Sequence, residues 1–206
     1  MKLARGGGHP VPYDLPESGV VIGRSQCDIT FPEDMTVSPR HVSVRPQGDR
    51  VEIDETGSLN GVFVRIRGEY RLLDGDVFLI GDQFFRISLE PGRFPPEEYR
   101  LFAAPKERNV MASLIHLVED GRDGEVIAVR ALPFLVGRED GDLRYGADRF
   151  MSRKHATLKG TDKGLVLEDQ GSRNGTYVQR RGPFSLGDGD LFLVGRQLLR
   201  IEAIGS

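Results

Sequence analysis

The 206-residue sequence predicts an all-β protein made of two β-sandwich domains in tandem, joined by a linker rich in proline and charge. The first supporting observation is an internal repeat: residues 23–87 align with residues 137–201 without a gap, and 23 of these 65 positions are identical. The second is a succession of short apolar runs rich in Val, Ile, Leu, Phe and Tyr. The third is that no long window shows helical spacing.

The repeat has one constant offset. Gly23 corresponds to Gly137 and Asp76 to Asp190, and the members of each pair are separated by 114 positions. Similarity over this length indicates two copies of one fold. The predicted domains are residues 1–90 and 110–206, and a chain of either length can fold alone.

Each copy is predicted to form strands. Its runs are apolar or alternate between apolar and polar residues, and Gly-Asp or Gly-Ser clusters bound them. Many short strands at close spacing are typical of a β-sandwich. In the second copy the runs are, in order, SLIHLVED, EVIAVR, FLVGR, HATLKG, GLVLEDQ, GTYVQ and DLFLVGRQLLRIEA.

Proline and charged residues concentrate between the two copies, in residues 91–109. This composition is typical of a linker rather than of a core element. The stretch PPEEYRLFAA within it favours one or two helical turns.

Composition and charge exclude several classes of protein. The net charge of −3 argues against general binding to nucleic acid. The sequence has neither an apolar run of about 18 residues nor a signal-peptide core, so we expect a cytoplasmic protein without a membrane span. Cys27 is the single cysteine, which excludes an internal disulfide and a zinc cluster. We expect no cofactor and no metal.

Each copy carries three polar clusters on predicted loops. An arginine fork can pair two phosphate oxygens, a serine hydroxyl adds a neutral donor, and an asparagine amide can hold a peptide backbone. Glycines allow a close approach of the chain. These residue types match a phosphorylated peptide. The clusters are Gly23-Arg24 and Gly137-Arg138, Ser38 to His41 and Ser152 to His155, and Gly57 to Gly61 and Gly171 to Gly175.

Both halves resemble forkhead-associated (FHA) domains, a family of phosphothreonine-binding β-sandwiches. The family pattern is Gly-Arg, then Ser-x-x-His, then Ser-x-Asn-Gly-Thr. The second half has VGR, SRKH and GSRNGTYV, and the first has IGR, SPRH and GSLNGVFV, in the same order. The resemblance covers nearly the whole chain outside the linker.

The resemblance implies roles for individual residues of the second domain. Its expected phosphopeptide-binding residues are Arg138, Ser152, Arg153, Arg173 and Asn174. The residues expected to support the loops without touching the ligand are Gly137, His155, Gly175 and Thr176.

The first domain keeps part of this set. Its expected binding residues are Arg24, Ser38 and Asn60, with Gly23, His41 and Gly61 as loop support. It has Pro39, Leu59 and Val62 where the second domain has Arg153, Arg173 and Thr176. We therefore expect the second domain to be the main phosphothreonine-binding site, and the first to bind more weakly or to serve in docking.

The expected function is a non-enzymatic adaptor or scaffold in Ser/Thr kinase signalling, with phosphothreonine-containing kinase substrates as partners. The alternative is a structural interaction module that binds unphosphorylated partners or associates with itself. Ser152 and His155 do not indicate a hydrolase, since no acid partner or nucleophile elbow accompanies them. Glu139, Asp140 and Asp142 remain open between a solvated loop and a preference for peptides with basic residues near the phosphothreonine.

Overall fold

The computed structural model describes residues 1–5, 11–55, 57–89, 110–118 and 121–203. Within these ranges the chain forms β-strands and no α-helix, which confirms the all-β prediction. The predicted linker 91–109, with its helical turns, lies outside the described residues. The strands are β1 (Lys2–Arg5), β2 (Val11–Asp14), β3 (Val20–Gly23), β4 (Ile29–Thr30), β5 (Val42–Gln47), β6 (Arg50–Glu55), β7 (Val62–Arg65), β8 (Glu69–Arg71), β9 (Val77–Ile80), β10 (Gln83–Ser88), β11 (Ala112–Leu117), β12 (Asp123–Val129), β13 (Phe134–Gly137), β14 (Leu143–Arg144), β15 (Ala156–Thr161), β16 (Gly164–Asp169), β17 (Thr176–Arg180), β18 (Phe184–Leu186), β19 (Leu191–Val194) and β20 (Gln197–Glu202).

The strands belong to two compact units that interleave along the sequence. Unit 1 comprises Met1–Arg65 together with Gln179–Ser206, and unit 2 comprises Ile66–Val178. Each unit has two sheets and one apolar core, so each is a β-sandwich.

Unit 1 has one sheet in the order β7-β19-β20-β1-β2 and a second in the order β18-β6-β5-β3-β4. Its paired strands run antiparallel, except that β3 and β4 run parallel. Ile22, Ile53 and Phe192 come from both sheets and are fully buried in its core. Each such side chain contributes about 1.5–3 kcal/mol of transfer free energy.

Unit 2 repeats this arrangement. Its sheets have the orders β12-β11-β10-β9-β17 and β14-β13-β15-β16-β8, and β13 and β14 are its parallel pair. Phe78, Phe85 and Leu158 are fully buried between the sheets. The rings of Phe78 and Phe85 lie 5.8 Å apart, within the range of favourable aromatic pairs.

The last three strands of each repeat lie in the unit that is otherwise formed by the other repeat. Strands β8 to β10 belong to the first repeat, yet β8 pairs with β16 and β9 with β17 in unit 2. Strands β18 to β20 belong to the second repeat, yet β18 pairs with β6 and β19 with β7 in unit 1. The compact units therefore differ from the predicted contiguous domains, 1–90 and 110–206.

The physical reason is that the two strand triplets are interchangeable. Leu72, Phe78 and Ile87 of the first triplet align with Leu186, Phe192 and Ile201 of the second, and all six are buried. Because either triplet presents apolar side chains at the same positions, either one can complete either sandwich. The sequence pattern alone does not specify the choice.

Candidate functional site

The three motif loops of the second repeat meet at one end of unit 2. The backbone N–H of Arg138 donates to the carbonyl of Ser152 over 2.9 Å. The backbone N–H of Arg173 donates to Ser152 Oγ over 3.0 Å. The side-chain amide of Asn174 donates to the carbonyl of Phe150 over 2.7 Å. The loop that carries Ser152 therefore joins the other two.

Gly137 permits the close crossing of two of these loops. A Cβ at this position would lie 2.3 Å from the carbonyl oxygen of Arg153 and 2.5 Å from that of Asp140. Both contacts are to backbone, which cannot rotate away. The position therefore requires glycine, and Arg138 follows it directly into the site.

The arginines of the site are partly paired with acidic neighbours. Arg138 Nη2 lies 3.0 Å from Glu139 Oε1, and Arg153 Nε lies 3.1 Å from Asp140 Oδ2. Glu139 Oε2 is also 3.8 Å from Arg153 Nε. The side chain of Arg173 is exposed on the neighbouring loop. Glu139 and Asp140 therefore face the arginines of this chain, which neither of the two sequence interpretations anticipated.

His155 links two of the loops from the buried interior of unit 2. Its ring is fully buried, and Nδ1 accepts a hydrogen bond of 3.0 Å from the backbone N–H of Ser152. Its Nε2 lies 3.1 Å from the carbonyl oxygen of Gly175, where it donates. One acceptor and one donor nitrogen describe a neutral ring protonated at Nε2. His155 therefore ties Ser152 to the Asn174 loop without facing solvent.

Asp169 is a residue of the site that the sequence reasoning missed. Its carboxylate accepts hydrogen bonds from the hydroxyl of Ser172 at 2.6 Å and from that of Thr176 at 2.7 Å. Ser172 Oγ in turn accepts from the backbone N–H of Gly175 at 2.9 Å. The available signal was an acidic residue two positions before Gly-Ser in both repeats, Glu55 and Asp169.

The environment of Asp169 keeps it ionised. Burial opposes its charged form, but the hydrogen bonds from the hydroxyls of Ser172 and Thr176 and from the backbone N–H of Ser172 hold its pKa below the usual value. A charged acceptor strengthens each of these hydrogen bonds. The Asn174 loop therefore has a rigid base.

Unit 1 reproduces the same loop geometry with first-repeat residues. The N–H of Arg24 donates to the Ser38 carbonyl over 2.9 Å, and Asn60 Nδ2 donates to the Thr36 carbonyl over 2.8 Å. His41 accepts from the N–H of Ser38 and contacts the Gly61 carbonyl. At Gly23, a Cβ would lie 2.2 Å from the Pro39 carbonyl oxygen.

His41 is buried like its counterpart. Desolvation lowers its pKa, against smaller opposing effects of the Gly61 hydrogen bond and of Glu55 and Asp34. The ring therefore stays neutral at neutral pH and can accept from Ser38 while it donates to Gly61.

The exposed residues around each site, called its rim here, differ in chemistry, although the hydrogen bonds that join the loops are the same in both units. Met35 is 77 % exposed and Leu59 is 87 % exposed in unit 1. Arg24 Nη1 lies 3.1 Å from the sulfur of Met35 rather than beside a carboxylate. The corresponding rim positions are Met35 and Arg149, Pro39 and Arg153, and Leu59 and Arg173.

The described residues lack a membrane-spanning helix and a metal-binding cluster. They contain no helix with the length and apolarity needed to cross a membrane. Across the same ranges, no three His, Cys, Asp or Glu side chains are grouped as a metal site would require.

Curated relatives match about a third of the chain. FhaB of Mycobacterium tuberculosis, an FHA domain-containing protein, is 32 % identical over 75 residues, which are 36 % of this chain and 48 % of FhaB. The oxoglutarate dehydrogenase inhibitor of Corynebacterium jeikeium is 36 % identical over 69 residues, which are 32 % of this chain and 48 % of that protein. The chain thus spans about half the length of the curated relatives it matches.

A solved structure is also similar. It is the crystal structure of the FhaA FHA domain complexed with the intracellular domain of Rv3910, at 32 % identity. The match covers 40 % of this chain and 93 % of that chain, with a TM-score of 0.29.

The family model of the FHA domain matches this chain twice. The matched residues are 20–81 and 134–195, which together cover more than half of the sequence. Each match includes all three motifs whose loops meet at one end of a unit. The chain therefore belongs to the FHA domain family, as a protein with two copies of the domain.

Proposed function

We propose that this protein is a phosphothreonine-dependent adaptor and that its main phosphothreonine-binding site is the one in unit 2. The observation that carries this proposal is the set of three arginines at the rim of that site. Arg138 and Arg153 share the acidic neighbours Glu139 and Asp140, and Arg173 is exposed on the adjoining loop. A phosphate placed near Ser152 would meet guanidinium groups from three loops.

The unit 1 site has fewer arginines at its rim. Its rim has Pro39 and Leu59 at the positions of Arg153 and Arg173, so Arg24 is the arginine that remains of this set. A hydrogen bond to a charged group is worth about 1.5–3 kcal/mol, so two missing arginines weaken binding by roughly a hundredfold or more.

Single-arginine variants of the full chain test this proposal. We expect Arg138→Ala to weaken binding of a degenerate phosphothreonine peptide pool by roughly tenfold or more, because it removes a charged contact to phosphate. Arg24→Ala should change the same binding by less than about twofold. Fluorescence anisotropy with labelled peptides measures both.

Arg130→Ala is a suitable control, since it removes an exposed arginine of unit 2 that lies outside the motif loops. Unchanged binding in Arg138→Ala, or a larger loss in Arg24→Ala, would contradict the assignment. The unphosphorylated peptide pool must bind much more weakly to the parent protein. Equal binding of both pools would show that the phosphate does not contribute to binding, and would contradict the proposal.

We propose as a second function that the unit 1 site docks a partner with apolar side chains. The specific observation is the exposure of Met35, on the loop that carries Ser38, and of Leu59, whose backbone N–H donates to Ser38 Oγ. Met35→Arg with Leu59→Arg should reduce capture of a partner that survives phosphatase treatment. If such a partner is retained in full, this second function is wrong.

We further propose that the protein is non-enzymatic, acts in the cytoplasm, and takes substrates of Ser/Thr kinases as partners. Membership of the FHA family and the similarity to FhaB support an interaction role. Preference for phosphothreonine over phosphoserine would come from the γ-methyl group, whose burial is worth on the order of 1 kcal/mol.

A further inference from the structure

Asp148 occupies an unusual position under the Ser152 loop of unit 2. The residue is only 7 % exposed, and its carboxylate accepts four hydrogen bonds within the unit. Oδ1 accepts from the backbone N–H groups of Phe150 and Met151 at 2.8 and 3.1 Å. Oδ2 accepts from the N–H of Asp82 at 2.8 Å and from Gln83 Nε2 at 3.0 Å.

The groups held by Asp148 are directly connected to the site. The carbonyl of Phe150 accepts from Asn174 Nδ2 at 2.7 Å, and Ser152, which follows Met151, accepts from the N–H of Arg173 at 3.0 Å. A change in the position of residues 150–152 would therefore move the serine hydroxyl and the asparagine amide together.

The donors to Oδ2 come from the other repeat. Asp82 and Gln83 lie at the turn between β9 and β10, which belongs to the first repeat and reaches Asp148 because those strands are part of unit 2. Gly81 opens this turn with a φ of +65°, and a Cβ there would lie 2.6 Å from Asp148 Oδ2. The turn is thus closely fitted to the carboxylate.

Unit 1 has the reciprocal arrangement. Asp34 Oδ2 accepts from the N–H of Arg196 at 3.0 Å and from Gln197 Nε2 at 2.7 Å, and both donors belong to the second repeat. Its Oδ1 accepts from the N–H of Thr36 at 3.0 Å. The carbonyl of Thr36 holds Asn60 Nδ2, as that of Phe150 holds Asn174 in unit 2.

We propose that Asp148 and Asp34 are positioning residues for the two phosphopeptide sites. Asp148 is held by the β9–β10 turn of the first repeat, and Asp34 by the β19–β20 turn of the second repeat. The unit 2 site therefore depends on Gln83 of the first repeat, and the unit 1 site on Gln197 of the second. The inference of an effect on phosphopeptide affinity rests on the proposed function. The inference that the loop geometry of each unit depends on the opposite repeat does not rest on the proposed function.

The first test uses a matched pair of variants, Gln83→Ala and Gln197→Ala. In an Arg24→Ala background, which leaves the unit 2 site, Gln83→Ala should weaken phosphothreonine peptide binding by about three- to tenfold, since one hydrogen bond to a charged group is lost. Gln197→Ala should leave that affinity within about twofold. The opposite pattern, with Gln197 affecting unit 2, would overturn the proposal.

The second test needs no peptide. The side-chain amide NMR signals of Asn174 should shift in Gln83→Ala and stay in place in Gln197→Ala, and those of Asn60 should show the reverse. A general loss of stability would instead disturb both asparagines in each variant, which would also overturn the proposal. If these shifts follow the crossed pattern but the parent protein binds no phosphopeptide, the proposed function fails and the positioning role stands.

A third test reports strand pairing directly. Glu69 in β8 is opposite Glu168 in β16, so Glu69→Cys with Glu168→Cys, in a Cys27→Ser background, should be joined within one chain by a short bis-maleimide. The control pair is Asp54→Cys with Glu69→Cys, because position 54 is the repeat equivalent of 168. Efficient linkage of the control pair in place of the first would show that each repeat closes on itself, and would overturn the proposal.

Discussion

The acidic residues Glu139 and Asp140 distinguish the unit 2 pocket from a bare cluster of arginines. They pair with Arg138 and Arg153, whereas the equivalent residues of unit 1 are the uncharged Ser25 and Gln26. Under the proposed function, an entering phosphate would replace these contacts as it forms its own. Exposed ion pairs of this kind are worth about 0–1 kcal/mol, so they reduce affinity modestly.

We therefore expect Glu139→Gln to strengthen phosphothreonine peptide binding by about two- to fivefold, because the arginines then lose a competing carboxylate. Isothermal titration calorimetry measures the change. The gain should shrink as salt concentration rises, since screening weakens exposed charge pairs.

Asp162→Asn is the control for this prediction. It changes the net charge by the same amount at an exposed turn between β15 and β16. An equal gain in both variants would indicate a general charge effect, and weaker binding in Glu139→Gln would show that this carboxylate helps to hold the arginine in place.

At the residue scale, the sequence located the motif residues but did not predict that Glu139 and Asp140 pair with the arginines. Gly137, Ser152, His155 and Asn174 were predictable because their order and spacing repeat in both halves. The binding roles of Ser152 and Asn174 stay predictions, and so do the loop-support roles of Gly137 and His155. Asp148 was missed because its donors Asp82 and Gln83 lie more than 60 positions away in the sequence, at separations of 66 and 65.

At the scale of elements, the close approach between Gly137, the last residue of β13, and the backbone of Arg153 controls where the Ser152 loop lies. The site depends on a glycine with ordinary backbone angles but almost no space for a side chain. The requirement at Gly137 is therefore steric rather than conformational.

Gly137→Ala should lower the free energy of unfolding by about 1–3 kcal/mol, because the added methyl group meets two backbone carbonyls. It should also weaken phosphopeptide binding, since Arg138 follows directly. Urea unfolding and peptide titration measure the two effects.

Gly146→Ala provides the comparison, as a Cβ there would have its nearest neighbour at 3.9 Å. Its effect on stability should stay within about 0.5 kcal/mol. Similar losses in both variants would contradict the steric explanation for Gly137.

The strands themselves were predictable to a large extent. Runs such as FLVGR and GTYVQ correspond to β13 and β17, because short apolar runs bounded by glycine form strands. The pairing of β8 with β16 was not predictable, since β6 offers an equivalent edge in the other copy.

At the scale of the whole molecule, the exchange of strands makes each unit depend on both repeats. Unit 1 needs Gln179–Ser206 and unit 2 needs β8 to β10. Exchange of equivalent elements changes few contacts, so it is energetically accessible whenever the connecting segments allow it.

A chain with a protease site inserted in residues 91–109 should therefore remain one particle after complete cleavage. The two fragments should elute together in size-exclusion chromatography and separate in denaturant, because each sandwich contains strands of both. An uncut sample and a sample cut in urea serve as the references. Separate elution of two folded fragments in native buffer would contradict the exchange.

The sequence by itself determined the duplication, the all-β class, the three motif loops and the unequal charge of their rims. These features depend on local periodicity and on residues at fixed spacing. Only the tertiary structure decided which strand triplet completes which sandwich, and with it which turn holds Asp34 and which holds Asp148. The reason is that β8 to β10 and β18 to β20 present the same apolar pattern, so the choice between them depends on long-range packing.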